Sequence, residues 1–417
     1  MAMTATMSAL TPKPSHVPDA LVYDFDMYHD PGMERDAPRR LLEVARETPP
    51  VFWTPHNGGH WIIRGYDTVL KASRDWETFS SEHISREDAA ALLAQLPRDV
   101  TIVQPVPILL DPPDHTRFRL PLQPVFSPKA MLRLQAHIRE VTVGLIESVK
   151  PRGHCEFVCA IGEKIPTQVF LEIFGLPLER QGDFRALVEE HLSDDFGDFD
   201  SQQAKLRRMA EIMADTLLDR RDNPREDLIS LLWQSSVDGQ PLTLEDMQNY
   251  CVLLFIAGLD TVMNGMGHGI RHLALHPELQ AELRANPKMV VEAGEELLRR
   301  YGFVAVPRLV RHDTECDGAP LKRGDRVTLF YPMANLDAEE FADPDAFDLG
   351  RENKVHLTFG GGPHRCLGSH LARIELQTLY EEMVVRLPTF RLDPDRPVRY
   401  RCGPVTGPRE LHLQWDI

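Results

Sequence analysis

Positive charge is in short supply in this 417-residue sequence: 46 lysines and arginines stand against 63 aspartates and glutamates, a net charge of −17. That balance argues against nucleic acid and anionic membrane surfaces as partners. Cysteine is scarce, at six residues, and no two stand as Cys-x-x-Cys. His154, Cys155 and Cys159 are close together, but no second ligand cluster completes a zinc site. The pattern suits a reducing, cytoplasmic compartment. The first twenty residues lack a basic start and an apolar stretch, so no signal peptide is expected. Long apolar runs are missing too. The longest, CVLLFIAGL at 251–259, is too short to span a bilayer and runs into Asp260. No internal repeat and no linker divides the chain, and the 42% hydrophobic content suffices for a sizeable core.

What is present is mostly helical periodicity. Residues 1–17, rich in proline and poor in anything to bury, are expected to form a flexible arm, with a single domain over 18–417. Helical spacing is expected at 34–47, 66–75, 128–149, 159–174, 179–192, 201–222, 226–234, 243–275, 288–301 and 367–387. VFWT (51–54) and HWIIRG (60–65) alternate around Asn57-Gly58-Gly59, a hairpin signal. Short strands are expected over 304–332. Residues 84–110 begin helix-like and then become apolar and proline-broken, too greasy for an idle loop. The fold class is mainly α with a minor β part.

One stretch organises the rest: FGGGPHRCLG at 359–368. Gly360, Gly361 and Gly362 carry no side chains, so backbone can approach something flat and bulky. Cys366 falls where a helix begins, and the free N–H groups there favour a thiolate. A lone thiolate with open space opposite it is one way to hold haem iron; a buried cysteine after a turn is the bland alternative.

Three further stretches accompany it. In LLFIAGLDTVMNG (253–265), Ala257-Gly258 are small residues inside a long helical pattern. Glycine there costs roughly 1 kcal/mol relative to alanine, which points to a close neighbour. Asp260 and Thr261 follow at once, and polar groups in an apolar helix must be satisfied or used. Either they serve chemistry, or Thr261 bonds the carbonyl one turn back and Asp260 sits at a rim. In EELLRR (295–300), Glu296 and Arg299 are spaced to pair on one helical face. In DPPDHTRFR (111–119), Pro112-Pro113 fix an extended lead into a helix bearing His115 and Arg119 one turn apart.

The spacing Phe-x-x-Gly-x-x-x-Cys-x-Gly, filled by Phe359, Gly362, Cys366 and Gly368, resembles the haem-ligand loop of the cytochrome P-450 monooxygenases. With the other three stretches, the resemblance covers nearly the whole chain. It implies a triangular prism of helices around a buried haem b (heme, iron protoporphyrin IX), with Cys366 as axial ligand. It implies that Thr261 donates a hydrogen bond to dioxygen and Asp260 relays protons. It also implies that His115, Arg119, Arg308 and His364 serve the haem propionates, and that Glu296 and Arg299 have a structural role. The likeness is closest to the bacterial camphor hydroxylase group, through LVYDFDMY (21–28), NGGHWI (57–62), FSSE (79–82), AGLDTV (257–262) and EELLRR.

Two departures bear on substrate. No tyrosine stands in 84–110, where the camphor enzyme has one that bonds the camphor ketone, and Val306 replaces an aspartate. The expected substrate pocket is apolar, lined by Val103, Val106, Ile108, Leu109, Leu253, Ile256, Ala257, Val304, Val306 and Val405. His83, Gln95, Thr101 and Gln104 are the candidates for orienting a polar group. The resemblance implies hydroxylation of a small terpenoid or norisoprenoid. Electrons would come from a [2Fe-2S] ferredoxin served by an NADH-dependent ferredoxin reductase. Arg117, Arg119, Lys354 and Arg365 are expected to offer that acidic partner a basic spot. A peroxide-driven peroxygenase and a haem-thiolate sensor are the alternatives; the intact Asp260-Thr261 pair argues against the first, the want of an output segment against the second.

Overall fold

A computed structural model describes residues 10–82, 102–191 and 199–417. Helices dominate, with short strands gathered into small sheets. The chain divides into two compact units, each discontinuous in sequence. A sheet unit is built from the described residues up to 82, from Glu295–Arg365 and from Val398–Arg409. A helical unit takes the described residues from 102 to 294, Cys366–Pro397 and Glu410–Ile417. Because the chain passes repeatedly between them, no linker marks the boundary in the sequence.

In the sheet unit, five strands stand in the order Val51–Thr54, His60–Ile63, Arg326–Phe330, Ala305–Val310, Phe79–Ser80. The first two form the expected hairpin, with Phe52 opposite Ile62. Asn57, Gly58 and Gly59 all have positive φ, at 56°, 80° and 67°, which is why asparagine and glycines occupy the turn. Of the expected flexible arm, residues 1–9 lie outside the described part, while 10–17 are held. Thr11 N–H donates to Pro55 O at 2.9 Å, His16 Nε2 lies 2.9 Å from an Asp325 carboxylate oxygen, and Val17 is buried. Backbone and ion-pair contacts outweigh the proline-rich composition there.

The sheet unit is tied together by one buried pair. Arg299 meets Glu296 through two bonds of 2.9 Å, with both side chains fully buried. The remaining guanidinium donors reach Asn335 O, Pro344 O and Ala346 O at 2.9–3.0 Å. Glu296 also accepts from Arg351 Nε at 3.0 Å and Asp348 N–H at 3.2 Å. The irregular, Asp- and Pro-rich stretch after 331 has no regular partners of its own, so its carbonyls are satisfied by this arginine. Asn335 extends the network: its Oδ1 accepts from Leu357 N–H at 2.7 Å and its Nδ2 donates to Thr358 Oγ1 at 2.8 Å. The Glu296–Arg299 helix thereby sets the approach to Phe359.

The helical unit is built on Leu244–Leu275. Thr243 and Asp246 close a reciprocal capping box at its start. The helix is long and apolar enough to cross a membrane, unlike the 251–259 run alone; two thirds of its apolar stretch is buried inside the protein, as befits a core helix. Helix Ser369–Arg386 packs beside it. Tyr380 Oη donates to Gly265 O at 3.0 Å, and a Cβ on Gly269 would lie 2.1 Å from that hydroxyl, so glycine is required.

Several elements differ from expectation. The 128–149 pattern is broken into Pro128–Leu132 and Gln135–Val149. The stretch 159–174 starts as a π-wound turn, Val158–Gly162, before Lys164–Phe174. Elements that were not expected include strands Phe79–Ser80 and His154–Glu156, helix Pro277–Ala285 and the hairpin Ser236–Val237/Gln240–Pro241, turned by Asp238-Gly239 at φ 52° and 76°.

Replacing Arg299 by Ala leaves Glu296 buried without its main partner and the carbonyls of Asn335 and Pro344 without this donor, while Ala346 O keeps Arg351. Loss of about 3–5 kcal/mol of stability is expected, read by denaturant unfolding of the haem-loaded protein. A loss below 1 kcal/mol would show the network is dispensable.

Candidate active site

The helical unit carries most of the chemistry-bearing residues. Along Leu244–Leu275, Phe255, Leu259, Asp260 and Val262 are buried, yet Ala257 and Gly258 are exposed. Among the described residues, an added Cβ at Gly258 would meet only Phe170, at 3.9 Å, so no side chain packed against it accounts for this glycine. The small residues leave a bare patch on a core helix.

Thr261 Oγ1 donates to Ala257 O at 2.8 Å, and Asn264 Nδ2 donates to Asp260 O at 2.8 Å. The hydroxyl proton expected to point toward dioxygen is thus directed to the backbone one turn back. A hydroxyl has one proton and two lone pairs, so Oγ1 keeps its accepting capacity. Asp260 is 3% exposed. His115 is buried and Arg119 half-buried on helix Asp114–Arg119, and Tyr250 Oη donates to Phe118 O between them at 2.6 Å. Pro113 is already helical rather than extended.

Cys366 is the first residue of the helical unit after the chain leaves the sheet unit at Arg365. Its thiol is exposed; Cys155 and Cys251 are buried and their thiols are raised by burial, Cys155 to about 12. Gly368 is the residue at the start of helix Ser369–Arg386. Among the described residues no cluster of three or more His, Cys, Asp or Glu could hold a metal ion.

In the sheet unit the glycine turn is pressed onto helix Tyr66–Arg74. A Cβ at Gly362, where φ is +64°, would fall 2.1 Å from Ser73 O. Phe359 is buried, and His364 Nε2 lies 2.9 Å from Ser81 Oγ. Arg308, on strand Ala305–Val310, donates to Pro307 O at 2.7 Å. Val304 bridges Val405, and Val306 lies two residues on, on the same face; all three are partly exposed.

The expected pocket residues of the helical unit separate into two sets. Ile108 is 46% exposed, and Leu109 and Ile256 are partly so. Val103, Val106 and Leu253 are covered, at 3%, 6% and 8%. The first two join the core cluster around Phe170 and Phe255, so they back the wall rather than face a ligand. His83, Gln95 and Thr101 lie outside the described residues. Two of the four residues expected to form a basic spot have partners within their own units. Arg117 is paired with Asp114 at 2.8 Å and with Asp238, and Lys354 donates to Leu349 O at 2.7 Å.

The family signature described as Cytochrome P-450 matches residues 183–399, about half of the chain. A probable cytochrome P-450 127A1 of Sinorhizobium fredii is 33% identical over 97% of both chains. The chain belongs to the cytochrome P-450 family. A methyl-branched lipid omega-hydroxylase of Mycobacterium bovis is 31% identical, covering 89% of this chain and 90% of its own. The linalool 8-monooxygenase of Pseudomonas putida is 27% identical, over 91% and 96%. Among solved structures, CYP101J2 superposes with a TM-score of 0.86 at 33% identity, covering 98% of this chain and 100% of its own. CYP101C1 gives 0.86 at 32%, over 97% and 100%. This fits the likeness to the camphor hydroxylase group drawn from the motifs.

The P-450 family and fold imply haem held by a cysteine thiolate. The residues present fit that group: the exposed thiol of Cys366 just ahead of helix Ser369–Arg386, and a bare Ala257-Gly258 patch in the same unit.

One residue went unnoticed in the sequence. Glu375, nine after Cys366, is 1% exposed, and burial pushes its carboxyl up to about 8. It shares a stripe with Ala372, Leu376, Leu379 and Met383, all buried, and its position in that stripe was the available signal. Folded protein holds a proton here that the unfolded chain releases above its ordinary 4.5, so stability falls as pH rises between about 4.5 and 8. Glu375→Gln should flatten the melting temperature of the haem-loaded protein across that window. An unchanged slope would assign the dependence elsewhere.

Proposed function

We propose that this P-450 monooxygenase hydroxylates a small hydrophobic terpenoid or norisoprenoid. Its electrons would come from a [2Fe-2S] ferredoxin and an NADH-dependent reductase, in the cytoplasm. The observation that carries the reading is the bare Ala257-Gly258 patch followed at once by Asp260 and Thr261, in the same unit as an exposed Cys366. Cys366 would hold the haem iron through its sulfur. Arg119 and His115 in the helical unit, and Arg308 and His364 in the sheet unit, are the propionate partners by the family pattern.

When bound, haem supplies the activation of dioxygen and the oxidation of the C–H bond. The chain's own residues position, shield and move protons. Asp260 brings a carboxylate into an otherwise apolar helix. Thr261 Oγ1 donates to Ala257 O and keeps its lone pairs; by turning its O–H away from that carbonyl it would give its proton to the reacting oxygen while taking one from Asp260, which regains a proton from solvent. In the helical unit Ile108, Leu109 and Ile256 offer apolar surface and no charge, which suits a hydrocarbon skeleton; Val304, Val306 and Val405 do the same in the sheet unit. Discrimination on such a surface is coarse, about 1–3 kcal/mol per methylene. The linalool relative supports a terpenoid, and the lipid hydroxylase keeps longer chains as the second substrate class.

Thr261→Ala should keep NADH consumption while product per NADH falls by about tenfold or more and peroxide rises. Thr261→Ser should restore most of the coupling. Full coupling in Thr261→Ala would remove this residue from the proton route. Turnover with peroxide alone, and none with a ferredoxin system, would make the enzyme a peroxygenase.

A further inference from the structure

The segment IVQPVPILL at 102–110 lies partly in the core without forming a helix or a strand. Its backbone polar groups must still find partners. Pro105 and Pro107 have no N–H to satisfy. The two residues ahead of Pro105 have theirs satisfied by side-chain amides from two different helices. Gln203, on Phe199–Asp222, bonds Val103 twice: Oε1 accepts its N–H at 3.1 Å and Nε2 donates to its carbonyl at 3.2 Å. Asn249, on Leu244–Leu275, accepts from Gln104 N–H through Oδ1 at 2.9 Å. Gln203 and Asn249 are each only 8% exposed. Gln203 reproduces the two-bond exchange of an antiparallel strand pair, with a side chain in place of the second strand.

This arrangement costs something unless it positions something. Two buried amides in an apolar core would be replaced by leucine at no penalty if filling space were their task. What they fix is the registration of a short stretch. Val103 and Val106 are drawn into the core, and Ile108 and Leu109, two and three residues on from Val106, are left at the surface.

We propose that Gln203 and Asn249 are positioning residues for substrate choice: they clamp the backbone at 103–104 and thereby set how Ile108 and Leu109 are presented to substrate. The proposal rests on the reading that Ile108 and Leu109 face the substrate. The clamp ties that wall to helix Phe199–Asp222, so a shift of the helix moves the wall. Selectivity then depends on residues that do not touch substrate.

The test uses the full-length, haem-loaded enzyme. Hydrogen exchange is measured first, without substrate, in wild type, Gln203→Leu and Asn249→Ala. Gln203→Leu should expose the Val103 amide, with exchange faster by about tenfold or more. Asn249→Ala, which serves also if Gln203→Leu fails to fold, should do so for Gln104. Soret titrations with linalool, a methyl-branched fatty acid and dodecanoic acid follow, with Ile108→Ala alongside. The tightest of the three ligands should weaken by about tenfold in Gln203→Leu, and the spread among the three should narrow. Unchanged exchange, or binding constants within twofold of wild type while Ile108→Ala shifts them, would overturn the clamp and leave the substrate reading standing. If Ile108→Ala changes nothing either, or none of the three binds wild type, the wall reading fails and the proposal with it.

Discussion

A single helix has to do two incompatible things, and the helical unit is arranged around the conflict. Leu244–Leu275 is the spine of an apolar core, so it must be greasy and closely packed. It must also present a bare backbone and a polar pair partway along. The packing demand is met at its far end, where Gly269 lets Tyr380 come against the backbone and bond Gly265 O. The opposite demand is met at Ala257-Gly258, where small residues expose the helix instead of covering it. The same device, removal of a side chain, gives close contact in one place and open surface in the other. Thr261 and Asn264 bond carbonyls one turn back, so these two are satisfied within the helix itself.

The sheet unit handles a different problem. Its long irregular stretch and its glycine turn contain few backbone pairings of their own. Arg299 supplies donors to three carbonyls from one fixed planar group, and Glu296 holds that group in place. Gly362 can be nothing else, because its positive φ and the nearness of Ser73 O both forbid a side chain. A buried ion pair is a costly way to gain stability, but it specifies one arrangement of the loop that leads to Cys366.

How far the sequence reveals this depends on the range of the interaction. Local signals were readable: the Asn57-Gly58-Gly59 turn, the 3.6-residue pattern of Leu244–Leu275, and the spacing of Glu296 and Arg299. Asp238-Gly239 carried an equally local signal that went unused. Pro277 closes one helical pattern and sits at the first turn of the next, so helix Pro277–Ala285 was hidden by its neighbour. Non-local partners were not readable. Nothing in IVQPVPILL announces that Gln203, a hundred residues on, satisfies Val103. The apolar character of 103–109 suggested a wall, but apolar residues serve core and pocket alike. Only burial separates Val103 and Val106 from Ile108. One ion partner of Arg117 was hidden for the same reason: Asp238 is distant in sequence but bonded to it.

The central claim is that the sulfur of Cys366 binds haem iron. Its most direct test is the difference spectrum of the purified, reduced protein on adding carbon monoxide. The account predicts the long-wavelength Soret band of sulfur-ligated haem, lost when Cys366 is replaced by Ala. A colourless preparation, a band at the shorter wavelength of nitrogen-ligated haem, or a long-wavelength band that survives that replacement would contradict it.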